Sequence, residues 1–225
     1  MENWLDFGGL RQLLTTMDLL SAIVFAITGA LVASRKQMDV IGFMWLSVVT
    51  GVGGGTVRDL LLGVPVFWIE RPSIVIACLA TAAVLHFTSH LFQSRYTLIL
   101  WFDAFGMALV TIAGTAKGLD IGTAPVIAVV MGVITASVGG IIRDILGHEP
   151  SIILRREIYV TASVFGACVY VLTVNLDAGR VPAAAAGLAA AFFARVLAIS
   201  FGWSMPTFRP RPGRDPVDTD KDNDD

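Results

Sequence analysis

The sequence is poor in charge: only 15% of its 225 residues are Asp, Glu, Lys or Arg. Soluble domains carry about 25%. The mean hydropathy of +0.73 points the same way, and such a composition places the chain in a lipid bilayer. Basic excess is also missing. The net charge is −2, which leaves no basic surface for nucleic acid. Cysteine is nearly absent. Cys78 and Cys168 both sit in apolar runs, without metal-type spacing, and read as small packing residues. Histidine occurs three times. His86 and His90, in VLHFTSHLF, share a helix face at a spacing a metal can use. No carboxylate or third ligand stands near them, however, and histidines near a span end are an ordinary interfacial feature. Catalytic motifs are missing as well. There is no G-x-S-x-G and no H-E-x-x-H, and GVGGGTVRD lacks both the preceding strand and the G-x-G-x-x-G spacing of a dinucleotide loop. The chain therefore reads as a membrane protein without enzymatic activity, cofactor or metal.

What it has instead is length in apolar runs. A spanning helix needs roughly 20 mostly apolar residues. Seven candidates meet that length: Leu14–Ser34, Val40–Leu62, Ser73–Phe92, Leu98–Lys117, Pro125–Leu146, Ile158–Leu176 and Ala183–Trp203. The connections are short and leave no room for a soluble domain. Residues 1–13 form an N-terminal segment, and residues 206–225, rich in proline and charge, are expected to be a disordered tail. The N-terminus lacks the basic stretch and small-residue cleavage site of a signal peptide, so the first span is expected to be retained. Trp4, Trp68, Trp101 and Trp203 fall near span ends, as an aromatic belt does.

Loop charge predicts orientation. One side holds Arg35, Lys36, Arg95, Arg155, Arg156, Arg209, Arg211, Arg214 and Lys221; the other holds Arg11, Arg71, Lys117 and Arg180. The richer side is expected to be cytoplasmic, with the C-terminus inside and the N-terminus outside, in an inner membrane.

The segment GVGGGTVRDLLLG, Gly51 to Gly63, has an echo in SVGGIIRDILG, Ser137 to Gly147. Arg58 to Arg143 is 85 residues, and the same ungapped offset carries Asp18 onto Asp103, Gly29 onto Gly114, Thr50 onto Thr135, Gly54 and Gly55 onto Gly139 and Gly140, Asp59 onto Asp144, and Pro65 onto Pro150. Rare polar residues, glycines and a proline do not align this way by chance. The chain is thus two repeats, residues 14–97 and 98–178, followed by a seventh span in residues 179–205. Each repeat holds three spans. An odd number of crossings inverts the second repeat relative to the first. The fold expected is an all-α membrane protein of two inverted three-helix repeats plus a seventh helix, an architecture of transport proteins.

Glycines Gly53, Gly54, Gly55, Gly139 and Gly140 admit two readings. Either they interrupt or kink the second and fifth spans, which the bilayer tolerates only where backbone is buried in protein or faces water, or they let helices approach closely. The pairs Arg58–Asp59 and Arg143–Asp144 either line a pathway or form salt bridges that hold the halves together. Asp18 and Asp103 either sit at the two pore mouths or cap the first turns of their helices. Arg195, inside the last span, either snorkels or pairs with an acid.

The doubled glycine–Arg-Asp motif, its 85-residue offset and the unpaired last span resemble the prokaryotic trimeric intracellular cation channels. MDLLSAIVFAITGAL and FDAFGMALVTIAGT are similar to that family's first-span signatures. The resemblance covers Thr16 to Met205. It implies a homotrimer in a lipid membrane, with one hourglass pore per subunit that passes K⁺ and, less selectively, Na⁺. By the resemblance, the kinks fall at Gly53, Gly54, Gly55, Gly139 and Gly140, and charged pore or gate roles fall to Arg58, Asp59, Arg143 and Asp144. Two departures are visible. Val138 stands where the first repeat has Gly53, and the basic motif with which animal members hold a phosphoinositide has no clear equivalent. Bacterial proteins with this two-repeat domain are also described as glycine transporters, so a carrier for a small amino acid is the second reading. The arginines suit its carboxylate. A third is a purely structural membrane protein.

Overall fold

The computed structural model describes residues 4–91, 95–149 and 158–204. In chain order the helices are α1 (Trp4–Arg35), α2 (Val40–Leu61), the short α3 (Phe67–Glu70), α4 (Ser73–Thr88), α5 (Arg95–Asp120), α6 (Pro125–Leu146), α7 (Val160–Asn175) and α8 (Arg180–Phe201), with a 3₁₀ turn, Ser89–Leu91, after α4. Local chemistry sets the boundaries. The Asp39 carboxylate accepts the Gly42 N–H at 2.7 Å and starts α2. Pro125 opens α6, where a missing N–H has no consequence. The same-offset residues Gly63 (φ 65°) and His148 (φ 47°) turn left-handed to end α2 and α6.

Among the described residues, five helices are long and apolar enough to cross a membrane. The third and sixth expected spans, α4 and α7, are 16 residues each, about 24 Å at 1.5 Å per residue. α4 begins at Ser73, the expected start of the third span, and the rest of the expected length passes into the 3₁₀ turn Ser89–Leu91.

Burial is inside-out relative to a soluble protein. Ile41, Trp45, Ile76, Phe87, Leu172 and Phe193 are exposed on the perimeter, whereas Arg58, Arg143, Arg195, Asp59 and Asp103 are buried. Apolar groups gain nothing by leaving lipid, so packing and polar contacts hold the interior. α1 and α5 form the central pair, and α2 packs on α6.

The halves are related by a two-fold, and one contact shows it. A Cβ at Gly54 would collide with the Thr135 carbonyl oxygen, and one at Gly139 would stand 2.9 Å from the Thr50 carbonyl oxygen. Thr50 and Gly54 are the offset mates of Thr135 and Gly139, so the contact maps onto itself when the halves are exchanged. It also pairs ascending positions of α2 with descending positions of α6. The two helices therefore run antiparallel, as inverted repeats require.

The glycines do not interrupt their helices. α2 is helical from Val40 through Leu61 and α6 from Pro125 through Leu146. This corrects the expectation of an interruption; a kink needs no break in the helix. Unbroken α-helix satisfies its own backbone in lipid, and Gly54 and Gly139 bring two backbones into contact.

Candidate functional site

Arg58 and Asp59 occupy the last turn of α2, and Arg143 and Asp144 the last turn of α6. There the partial negative charge of the helix end favours the cation. Arg58 donates through Nε to Asp59 at 2.7 Å and through Nη1 to Asp18 at 3.0 Å. Arg143 donates through Nε to Asp144 at 3.0 Å and through Nη1 to Asp103 at 2.6 Å. The two clusters are the same device repeated. Each joins the end of a repeat's second helix to the middle of its first.

Asp18 and Asp103 are not helix caps. They lie well inside α1 and α5, where each carboxylate meets an arginine. The salt bridges of Arg58 and Arg143 are within repeats; they do not clamp one half to the other. Cross-repeat links come from Lys117 of α5, whose Nζ lies 2.7 Å from Asp59 Oδ1, and from Arg35 and Lys36, which pair with Glu149.

Beyond this common frame the clusters diverge. In the first, the Phe67 N–H of α3 donates to Asp59 Oδ2 at 2.9 Å, and the Arg58 guanidinium lies 5.5 Å from the Phe67 ring centre. The Phe67 ring also occupies the space a Cβ at Gly55 would need. A cavity of about 390 Å³ opens onto this cluster, lined by Asp18, Phe67, Glu70, Arg71, Lys117 and Asp120 among others. In the second, Tyr159 takes the aromatic place. Its hydroxyl donates to the Ala136 carbonyl at 3.0 Å, and the Arg195 guanidinium stacks 5.3 Å from its ring centre. A Cβ at Gly140 would stand within 4 Å of Arg143, Asp103 and the Tyr159 hydroxyl, so these three groups close around that glycine. Over this end, Arg35 and Lys36 each lie 3.4 Å from Glu149, and Lys36 donates to the His148 carbonyl.

Arg195 is thus neither exposed nor snorkelling. It is 1% exposed, and the seventh span delivers it to the second cluster. His86 sits edge-on to the Phe43 and Phe87 rings at 4.8 and 5.2 Å, away from both clusters. The sequence reading missed Lys117, Phe67 and Tyr159. Only Lys117 carried a usable signal, as a lone cation in the apolar run TIAGTAKGL. Pro150 and the arginines Arg155 and Arg156 lie outside the described residues.

Two antiparallel, two-fold-related helical units, each with an identical buried Arg–Asp–Asp cluster, define the protein as a two-repeat helical membrane protein. The chain belongs to the family described as "Glycine transporter", whose sequence profile matches it twice, at residues 15–90 and 100–175. Those two matches are themselves 85 residues apart. The inner membrane protein YadS of Escherichia coli is 38% identical over 202 residues, 85% of this chain and 94% of that one. A trimeric intracellular cation (TRIC) channel orthologue from Rhodobacter sphaeroides is 50% identical, with a TM-score of 0.82 over 84% of this chain and 98% of that one. A second TRIC cation channel structure is 29% identical with a TM-score of 0.78, covering 87% and 97%. The solved structures it matches are of channels, not enzymes.

Proposed function

We propose that the protein is a monovalent cation channel, selective for K⁺ and less so against Na⁺, with one hourglass pathway per subunit between its inverted repeats. It works as a homotrimer in the inner membrane, with the N-terminus outside and the C-terminus in the cytoplasm. The observation that carries this reading is the charge balance of both buried arginines, each of which is set between two carboxylates. Arg58 is met by Asp18 and Asp59, and Arg143 by Asp103 and Asp144. An anion carrier needs an unmatched cation to grip a carboxylate, and these two have none to offer. The likeness to TRIC channels at 50% identity supports the same reading.

The seam between the halves favours water over lipid. Thr50 and Thr135 are buried there, and Ser47 and Ser137 are buried on the same two helices. Arg58 Nη2, Ser47 Oγ and Ser137 Oγ find no hydrogen-bond partner among the described residues, and buried polar atoms of that kind are met by water. The 390 Å³ cavity is the entrance on one side. Its acids, Asp18, Glu70 and Asp120, attract cations. Lys117, 22% exposed and bound to Asp59, stands where the cavity meets the cluster and acts as the movable part. Opening requires Lys117 to leave Asp59 and α2 and α6 to flex at Gly53, Gly54, Gly55, Gly139 and Gly140, whose lack of side chains leaves the helices bendable.

The family's description favours a second reading, a carrier for glycine. Purified protein in planar bilayers under a KCl gradient distinguishes the two. Unitary current steps reversing toward the K⁺ potential are expected. Saturable glycine uptake into proteoliposomes without such steps would establish the carrier, and neither result would leave a structural role.

A further inference from the structure

The two repeats differ in how their third helices are covered. In the second repeat α8 lies tightly on α7. A Cβ at Gly166 would stand 2.5 Å from the Ala191 methyl and 2.8 Å from the Gly187 carbonyl oxygen, and one at Gly187 would stand 2.9 Å from Tyr170 Cβ. Small residues are what permit such an approach in a membrane. Thr81 of α4 is the offset mate of Gly166, and α8 has no counterpart in the first repeat, so among the described residues no helix packs on α4 as α8 packs on α7. The result is an apolar groove of about 540 Å³ between α1, α4 and α5, walled by Ile27, Leu31, Thr81, Val84, Leu98 and Phe102 among others. It faces the lipid side, where Val84 is 61% exposed.

The groove has a direction. Along α1 it runs from Ile23 to Leu31, a rise of about 12 Å, which is most of one leaflet's half of the roughly 30 Å hydrocarbon core. One turn beyond Leu31, Arg35 stacks 5.1 Å from the Tyr96 ring centre. Arg35 and its neighbour Lys36 share the carboxylate of Glu149, so among the described residues two cations there meet one paired acid. An aromatic and basic rim at one end of an apolar slot is the pattern of a membrane interface.

We propose that this groove is a lipid site: it holds one acyl chain of a bilayer phospholipid, whose phosphate lies at the Arg35–Lys36 end. A helix from a second copy fits it poorly, because Thr81, Val84, Leu98 and Phe102 block the close approach that helix pairs use. A flexible chain follows the irregular walls and restores the dispersion contacts that an unfilled slot forfeits. The site does not depend on whether the protein conducts.

The test uses the full chain, purified and delipidated in detergent, then incubated with phosphatidylglycerol carrying a photoreactive diazirine in mid-chain. Adducts are mapped by mass spectrometry. They are expected to concentrate at residues 23–31, 80–85 and 98–102, about five-fold or more above the exposed α7 face at Phe165 and Leu172. Ala80→Phe, which puts a ring into the groove, should cut groove adducts about five-fold and leave those on α7 unchanged. Arg35→Gln with Lys36→Gln should lower them about two-fold or more. Adducts spread evenly over both faces in the unmodified protein would overturn the proposal, and that result needs no variant to fold. So would Ala80→Phe changing the oligomeric mass while groove labelling persists, which would assign the groove to a second copy.

Discussion

The first and second Arg–Asp clusters are copies in sequence and opposites in setting. Both place an arginine between two carboxylates in the same geometry. The first lies under a cavity of about 390 Å³, and its extra cation, Lys117, is partly exposed. The second is closed by a stacked Tyr159–Arg195 pair and overlaid by Arg35, Lys36 and Glu149. Duplication supplies the frame. Residues that do not obey the 85-residue offset give each copy its own setting, one open to a cavity and the other closed.

The comparison is most severely tested at the two-fold contact. Gly54→Ala sets a methyl against the Thr135 carbonyl, and Gly139→Ala sets one 2.9 Å from that of Thr50. Backbone cannot retreat as a side chain does, and both variants should lose most folded, monodisperse protein in size-exclusion chromatography. Gly53→Ala meets the flexible Ile142 Cδ1 at 3.0 Å and the Gly139 Cα at an ordinary 4.0 Å, and its offset mate is already Val138. It should cost less than about 1 kcal/mol in a thermal melt. Equal losses at Gly53 and Gly54 would dissolve the distinction between contact and spacer.

Next in size are the two extra cations. Arg195→Met leaves a buried cluster with excess negative charge and should destabilise by about 3 kcal/mol, read as a lowered unfolding midpoint, with no gain in current. Lys117→Met should cost only about 1 kcal/mol, since Asp59 keeps Arg58 and the Phe67 N–H, and should raise open probability in bilayers. If the two variants behaved alike, the clusters would not differ in role. Smaller again is Tyr159→Phe. It removes one hydrogen bond to Ala136 while keeping the ring under Arg195, for a loss of about 1 kcal/mol. Smallest is Glu149→Gln, which weakens a half-exposed pair by about 0.5 kcal/mol at low salt and by nothing measurable at high salt.

Much of this was legible in the residues. Seven apolar runs place α1, α2 and α4–α8, and the offset finds both clusters, because identical rare residues at one spacing leave few alternatives. The glycines were not decidable. Close helix contact and helix interruption both call for a residue without a side chain, and only the position of Thr135 against Gly54 separates them. Asp18 and Asp103 looked like caps because the expected spans began near them; α1 and α5 start earlier, at Trp4 and Arg95. Lys117 meeting Asp59 joins residues 58 apart on different helices, and α3, four residues long, is too short to leave a periodic trace.

The reciprocal meeting of Thr50 with Gly139 and of Gly54 with Thr135 has a further consequence. The paired helices of the two repeats, taken without α8, are their own upside-down image and have no intrinsic top. Flipped end over end, the helices of one half fall on those of the other, and the packing alone cannot tell the insertion machinery which way to thread them. The tie is broken outside the core, where Arg35 and Lys36 at the end of one first helix face Asp120 and Ile121 at the end of its twin. Exchanging those two pairs narrows the loop charge from nine cations against four to about seven against six, and should blunt the preference for one orientation while leaving the contact of α2 with α6 as it was.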